Sequence, residues 1–259
     1  MLAAAIQMPV LMDVGANLRV LGEALDALPA GTLAVAPEGC LSGYLPEAGM
    51  VRRLDGQVTA DAIATARAMA RAAGVHLIAG ACVEVDGVWR NASFHLGPEV
   101  PGPGGGPWRY DKINLAMSER GDFVAGDRLP VLDLALDGRA VRLGVQMCRE
   151  IRYPEQWRHL ARQGAEVIAY VNNAVGNPDG PDLWRAHAIS RAAETQRFVV
   201  GANNAAPDQG CPSLIVSPAG KVLAEAPVGA TVTVTAQIDL AQVSDWVIDQ
   251  ARADVVPVG

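Results

Sequence analysis

The chain has 259 residues, half of them apolar, and its 28 acidic and 21 basic residues give a net charge of -7. This composition is typical of a folded globular protein with a sizeable core and excludes a disordered chain. A phosphate-binding surface needs clustered lysine and arginine, so the scattered basic residues argue against a nucleic-acid-binding protein.

The first ten residues predict a buried strand rather than a leader sequence or a membrane anchor. No basic residue precedes the apolar run, and Gln7 and Pro9 interrupt it too early for either. The four cysteines lie far apart along the chain, with no short pairing pattern. We therefore expect free thiols, a cytoplasmic protein and no membrane contact.

Short apolar runs alternate in chain order with segments of helical periodicity. Asp-Gly pairs at 86–87 and 137–138 predict tight hairpin turns, which interrupt the alternation and favour mixed sheets in an α/β protein. The glycine- and proline-rich stretch Gly97–Pro107 is interpreted as a loop and not as a domain boundary. We predict strands at 2–7, 32–37, 75–85, 88–96, 131–136, 139–147, 166–171, 198–203, 213–217, 221–226 and 231–239, and helices at 15–28, 59–73, 154–163 and 182–196.

Several familiar site motifs do not occur in the sequence. It has no glycine-rich dinucleotide or phosphate loop that opens a helix, and no Gly-x-Ser-x-Gly nucleophile elbow. The four histidines have no metal-ligand spacing, and none is an obvious base for a cysteine nucleophile. The sequence therefore predicts neither a metal nor a cofactor.

Three residues at the ends of apolar runs carry candidate chemistry. Cys148 follows the strand at 139–147, Glu38 follows the strand at 32–37, and Lys112 follows the short strand-like "WRYD". Taken singly, each fits an ordinary role: a core thiol, a loop carboxylate paired with arginine, and a solvated lysine. Open α/β sheets place their sites at strand ends, so the three together favour a cysteine nucleophile with a carboxylate base and a cation for an oxyanion.

The segments "APEGCLSGY", "YDKINLAMSERGDFVAGD" and "LGVQMCREIRYPE" resemble, in order, the glutamate, lysine and cysteine motifs of the nitrilase superfamily, the carbon–nitrogen hydrolases. The resemblance covers nearly the whole chain. It implies an α/β fold, a four-layer α-β-β-α sandwich with mixed β-sheets, formed by residues 1–259 as one domain. It also implies a cofactor-free enzyme and a homodimer or higher homo-oligomer.

The mechanism that the resemblance implies assigns a role to each motif. Glu38 takes the proton of Cys148, whose sulfur attacks an amide or nitrile carbon. Lys112 and the backbone N–H of Arg149 hold the oxyanion. Ammonia or an amine leaves from a thioester, which water then hydrolyses.

Two nearby side chains have competing interpretations. Glu119 is the candidate for a second glutamate that orients the substrate, and the alternative is an ion pair with Arg120 or Arg128. The Arg149 side chain could anchor a substrate carboxylate, but we expect it to pair with a neighbouring acid.

Three residues are candidates for the substrate pocket: Tyr44, Asn172 and Asn173. The two asparagines could equally bond only their own backbone. The chain departs from the family pattern after the nucleophile, where Arg149 and Glu150 replace an aromatic residue and an aspartate. The later "GCPS" also departs from Gly-x-Ser. These departures leave the substrate open.

The leading hypothesis is hydrolysis of a small, non-peptide amide. An N-carbamoyl hydrolase and a nitrilase would use the same three residues, so they stay as alternatives. A non-catalytic binding protein of the same fold and an acyltransferase are less favoured.

Overall fold

The computed structural model describes residues 1–98, 106–136, 138–176 and 181–252. Twelve strands are found in this part of the chain, namely β1 (Leu2–Gln7), β2 (Leu33–Val35), β3 (His76–Val85), β4 (Val88–Leu96), β5 (Trp108–Asp111), β6 (Leu132–Leu136), β7 (Arg139–Met147), β8 (Val167–Val171), β9 (Phe198–Ala202), β10 (Leu214–Val216), β11 (Val222–Glu225) and β12 (Val232–Gln237). The helices are α1 (Val14–Asp26), α2 (Gly56–Ala73), α3 (Pro154–Arg162), α4 (Pro181–Thr195) and α5 (Trp246–Asp249).

The strands form two six-stranded mixed sheets. The first has the order β12-β1-β2-β3-β4-β5 and the second has the order β11-β10-β9-β8-β7-β6. In the first sheet β1, β2 and β3 are parallel, and in the second β7, β8 and β9 are parallel. Antiparallel strands flank each parallel centre.

Three buried apolar clusters show the layer order. Side chains of α1 and α2, including Leu21 and Ala66, pack on one face of the first sheet. Alternate residues of both sheets, such as Val35 and Val145, form the core between the sheets. Trp157 of α3 and Ala188 of α4 pack on the outer face of the second sheet. The predicted four-layer α-β-β-α sandwich with mixed sheets is therefore confirmed.

Local sequence signals explain where the elements begin and end. Asp55 caps α2 by accepting the backbone N–H groups of Gln57 and Val58, so the helix begins before the predicted residue 59. Gly74 ends it with a φ of 69°. Asp86 and Gly87 both have positive φ, as the predicted hairpin turn requires. Most of the predicted loop at 97–107 and Asp137 of the second predicted turn lie outside the described residues.

The topology brings several strand ends to one edge of the molecule. β5 is separated from β3 by two antiparallel pairings, so it runs in the same direction as β2 and β3. The carboxyl end of β8 meets that of β2, because the Glu38 N–H donates to the Asn172 carbonyl across the sheets at 3.1 Å. Within the described ranges, no helix is both long enough and apolar enough to cross a membrane.

Candidate active site

Glu38 lies just after β2 and is completely buried. Its Oε1 accepts hydrogen bonds from Asn91 Nδ2 at 2.7 Å and from Lys112 Nζ at 2.8 Å. Its Oε2 is also buried and has no hydrogen-bond partner among the described residues. A buried carboxylate oxygen without a partner is costly, so this atom is a candidate for chemistry.

Lys112 follows β5 and joins Glu38 to a second carboxylate. Its Nζ lies 3.0 Å from the Glu119 carboxylate, and all three side chains are buried. Asn91 Nδ2 and Tyr44 Oη also donate to Glu119 Oε1, at 2.6 and 3.0 Å. The structure thus brings two predicted catalytic residues together with the predicted second glutamate and one pocket candidate.

The alternative interpretation of Glu119 is not observed. Glu119 is held by Lys112, and Arg128 instead contacts the carboxylate of Asp127 at 3.3 Å on the surface. Glu119 also accepts the backbone N–H of Ala116, which closes the 3₁₀ turn that carries it. Glu119 is therefore fixed inside the cluster, through both its backbone and its charge.

The environments of the two carboxylates move their pKa values apart. Burial raises the pKa of Glu38, and the Glu119 charge adds to the rise although Lys112 opposes it. Burial also disfavours the charge on Glu119, but Lys112 and the Ala116 N–H lower the pKa of this carboxyl overall. Burial opposes the Lys112 charge, but the two carboxylates raise its pKa well above the usual range. Glu38 is therefore the more basic carboxylate.

Cys148 lies at the carboxyl end of β7 and begins the 3₁₀ turn Cys148–Arg152. Its φ of 39° is uncommon for a residue other than glycine, and its carbonyl accepts the Tyr170 hydroxyl at 2.8 Å. Although Cys148 is partly exposed, desolvation and the Glu38 charge raise the pKa of its thiol, while Lys112 and the Asn173 N–H lower it. A positive φ at a reactive residue fits a strained, pre-organised position.

Arg149 differs from the expectation for its side chain. Its Nε is buried, and the side chain has no hydrogen-bond or ion-pair partner among the residues that the structure describes. The expected pairing with a neighbouring acid is therefore wrong for this part of the chain. The adjacent carboxylate, Glu150, makes other contacts and does not reach Arg149.

The two asparagines after β8 differ from one another. Asn172 is 1 % exposed, and neither atom of its side-chain amide has a partner in the described structure. Asn173 Oδ1 accepts from Asn204 Nδ2 at 3.0 Å, while its backbone N–H interacts with the Cys148 thiol. The side chain of Asn172 is thus free for a ligand, and the Asn173 side chain is partly committed.

Asn91 and Glu150 were not identified from the sequence as site residues. Asn91 lies on β4 and bridges Glu38 and Glu119 through one amide nitrogen. The sequence feature that could have identified Asn91 is a polar residue within the largely apolar "VWRNASF". Glu150 lies in the cysteine segment itself, but its partners are distant in sequence.

The cysteines and the potential metal ligands form no second centre among the described residues. All four cysteines are free thiols. No group of histidine, cysteine, aspartate or glutamate side chains in the described ranges could hold a metal ion.

The chain is similar to known hydrolases. The family model described as carbon–nitrogen hydrolase matches residues 2–247. An (R)-stereoselective amidase from Pseudomonas sp. is 34% identical over 199 residues, which are 75% of this chain and 68% of the relative. A Mycobacterium tuberculosis protein described as a hydrolase is 32% identical over 237 residues, which are 83% of this chain and 81% of the relative.

A solved structure shares the fold. It is a mutant of an amidase from Nesterenkonia AN1, of the nitrilase superfamily, with a TM-score of 0.80 and 21% identity over 98% of this chain and 95% of that chain. The match to the family model spans nearly all the described residues, and with it the identification made from the three motifs is confirmed. This chain belongs to the carbon–nitrogen hydrolase family.

Proposed function

We propose that the protein hydrolyses a small, non-peptide amide through a thioester on Cys148. The observation that carries this proposal is the buried Oε2 of Glu38, which has no partner among the described residues. Lys112 holds the other oxygen of the same carboxylate. The charge of Glu38 also raises the pKa of the Cys148 thiol, so the two groups lie near each other. A base of raised pKa beside a thiol is what proton transfer near neutral pH requires.

The first half of the reaction forms the thioester. Glu38 Oε2 accepts the thiol proton while the Cys148 sulfur attacks the amide carbon. Lys112 Nζ and the Arg149 N–H stabilise the oxyanion that develops on the amide oxygen. When the tetrahedral intermediate collapses, the carbon–nitrogen bond breaks, Glu38 returns the proton to nitrogen, and ammonia or an amine leaves.

The second half releases the acid. Water gives a proton to Glu38 and attacks the thioester carbon, the carbon–sulfur bond breaks, and the sulfur recovers the proton from Glu38. Glu119, which accepts the Tyr44 hydroxyl, orients the substrate amide. Its lowered pKa keeps Glu119 ionised while Glu38 changes its protonation state. Glu38 is thus the proton carrier and Glu119 the fixed charge.

The Arg149 side chain favours a substrate that carries a carboxylate. A guanidinium with a buried Nε and no described protein partner is suited to an anion. Asn172, with a free side-chain amide, is suited to a second polar group of the substrate. The same anionic preference fits an N-carbamoyl (ureido) acid, which is the second candidate.

From the resemblance we also propose one domain over residues 1–259 and a homodimer or higher homo-oligomer, which light scattering on purified protein tests. The cytoplasmic location is proposed from the widely spaced cysteines. The name of the Pseudomonas relative, an amidase, supports the amide over the nitrile as substrate.

The test is ammonia release from matched neutral and carboxylate-bearing amides, ureido acids and nitriles, with wild type beside Cys148→Ala. We expect release from wild type only, with carboxylate-bearing amides best, and a folded but inactive variant. Ammonia release by Cys148→Ala at the wild-type rate would refute the assignment of Cys148 as the nucleophile. Product found mainly as hydroxamate when hydroxylamine is added at low concentration would instead indicate acyl transfer.

A further inference from the structure

Glu150 is a buried carboxylate that the proposed reaction does not use. It lies two residues after Cys148 in the 3₁₀ turn, and its side chain is fully shielded from solvent. Burying a carboxylate is costly unless hydrogen bonds compensate for the lost water. The partners of Glu150 therefore indicate what the residue does.

Both carboxylate oxygens of Glu150 are satisfied, and all their partners are donors. Oε1 accepts the Tyr110 hydroxyl at 2.8 Å and the backbone N–H groups of Ile113 and Asn114 at 2.8 and 3.1 Å. Oε2 accepts the Met147 N–H at 2.8 Å. Burial raises the pKa of Glu150, but these backbone N–H groups and the Tyr110 hydroxyl oppose the rise, because all of them donate and so suit the ionised carboxylate.

These partners lie directly beside the two residues that must meet the substrate. Ile113 follows Lys112, and Met147 precedes Cys148. Lys112 follows β5 of the first sheet, and Cys148 follows β7 of the second. One side chain thus connects the lysine loop to the cysteine turn across the two sheets.

The main chain of Glu150 is also fixed. Its carbonyl accepts the Trp157 indole N–H at 3.0 Å, and Trp157 is fully buried in α3. The residue is therefore a rigid support rather than a mobile surface group.

We propose that Glu150 is a positioning residue, which sets the separation between the Lys112 ammonium and the Cys148 sulfur by binding the backbone next to each. The inference rests on the proposed function of those two residues. The side chain of Glu150 bonds to Tyr110 and to backbone N–H groups, and it acts through the loops that it joins. A displacement of about 1 Å in such a site costs on the order of 100-fold in rate.

The test variant is Glu150→Gln. Whichever way the new amide turns, its NH₂ group faces a donor, so at least one connection between the loops is lost. We expect kcat to fall by about 100-fold, while KM changes by less than about threefold. Lys112 lowers the pKa of Glu38. A displacement of Lys112 away from Glu38 therefore raises that pKa and shifts the acid limb of the kcat/KM profile to higher pH.

Glu166→Gln is the matched control. Glu166 precedes β8 and accepts the Arg142 backbone N–H at 3.1 Å, at the end of the strands opposite Cys148. This variant keeps the wild-type kcat and acid limb. If Glu150→Gln does not fold, Tyr110→Phe removes one donor to Glu150, and we expect a smaller fall in kcat of about threefold to tenfold with the same direction of pH shift.

Alkylation of Cys148 by iodoacetamide, followed against pH by intact mass, needs no substrate. If the proposal is right, the acid limb of the alkylation rate lies at higher pH in Glu150→Gln than in wild type. This result does not depend on finding the amide reaction. A folded Glu150→Gln with the kcat and alkylation profile of Glu166→Gln would overturn the positioning role. Wild-type protein that alkylates normally but hydrolyses no amide would instead count against the proposed function.

Discussion

The buried polar cluster around Gln7 and the one around Lys112 both lie at strand ends, but they differ in charge and in how completely their hydrogen bonds are made. Gln7, at the end of β1, has every side-chain bond satisfied: its Nε2 donates to the carbonyls of Pro227 and Ala230, and its Oε1 accepts from Gln209 and Ser213. Neutral amides and backbone groups fill this network. It therefore needs no charge and leaves no atom free.

The cluster around Lys112 is charged and incompletely satisfied. Glu38 Oε2 and Asn91 Oδ1 are both buried without a partner among the described residues. Burial of polar groups alone therefore does not mark the site. The mark is an unpartnered carboxylate oxygen next to a fixed cation, where a proton can be accepted.

Lys112→Met is the variant that separates the clusters most strongly. It leaves Glu38 and Glu119 buried without their cation, so we expect a loss of about 3–5 kcal/mol in the free energy of unfolding. We also expect kcat/KM to fall by roughly 10³-fold or more, as for a member of a catalytic unit. Urea unfolding and ammonia release measure the two effects. A stable, active variant would show that the cation is dispensable.

Glu38→Gln tests the free oxygen itself. The amide keeps the shape but cannot accept a proton, so kcat falls by roughly 10³-fold or more. Lys112 remains paired with Glu119, so the free energy of unfolding stays within about 1 kcal/mol of wild type. Steady-state kinetics and urea unfolding give both numbers, and a large loss of stability with retained turnover would assign Glu38 to the fold instead.

The pH dependence of wild type gives a subtler test of the same carboxylate. Burial raises the pKa of Glu38, and the base must be deprotonated to act. Activity therefore falls as the pH drops through a value above the ordinary glutamate range near 4.5. The kcat/KM profile on a stable substrate measures this limb, and a limb at or below the ordinary value would contradict Glu38 as the base.

Gln7→Ala should have the smallest effect on chemistry. The lost amide leaves buried donors and acceptors unpaired, at about 1–3 kcal/mol for each such group. We expect the melting temperature to fall by about 10 °C or more, as roughly 2–4 °C per kcal/mol is usual at this size. Measured well below melting, kcat should stay within about threefold of wild type. A kcat loss as large as that of Glu38→Gln would remove the contrast between the clusters.

Local signals made much of this fold predictable. Apolar runs, Asp-Gly turns and helix-ending glycines gave the order of strands and helices, and the three motifs gave Glu38, Lys112 and Cys148 as candidates. Tertiary side-chain contacts were not predictable in the same way. Asn91 meets Glu38 across 53 residues of chain, and Glu150 meets Tyr110 across 40, so no local pattern shows either bond.

Arg149 shows the converse limit of local sequence patterns, which can predict a contact that the fold does not make. A basic residue beside acidic ones in sequence suggested an ion pair, but Glu150 is turned toward the lysine loop and Arg149 has no described partner. Neighbours in sequence on a tight turn need not face each other. The fold therefore decides whether an arginine is a structural partner or a candidate anchor.

The central claim is that the Cys148 sulfur carries the acyl group. Wild type mixed with its best amide, quenched in acid within the first turnover, is digested and analysed by mass spectrometry. The account predicts an added acyl mass on the peptide that contains Cys148, removable by hydroxylamine and absent in Cys148→Ser. Full ammonia release with no acyl group at Cys148 at any quench time, and with Cys148→Ser still active, would contradict it.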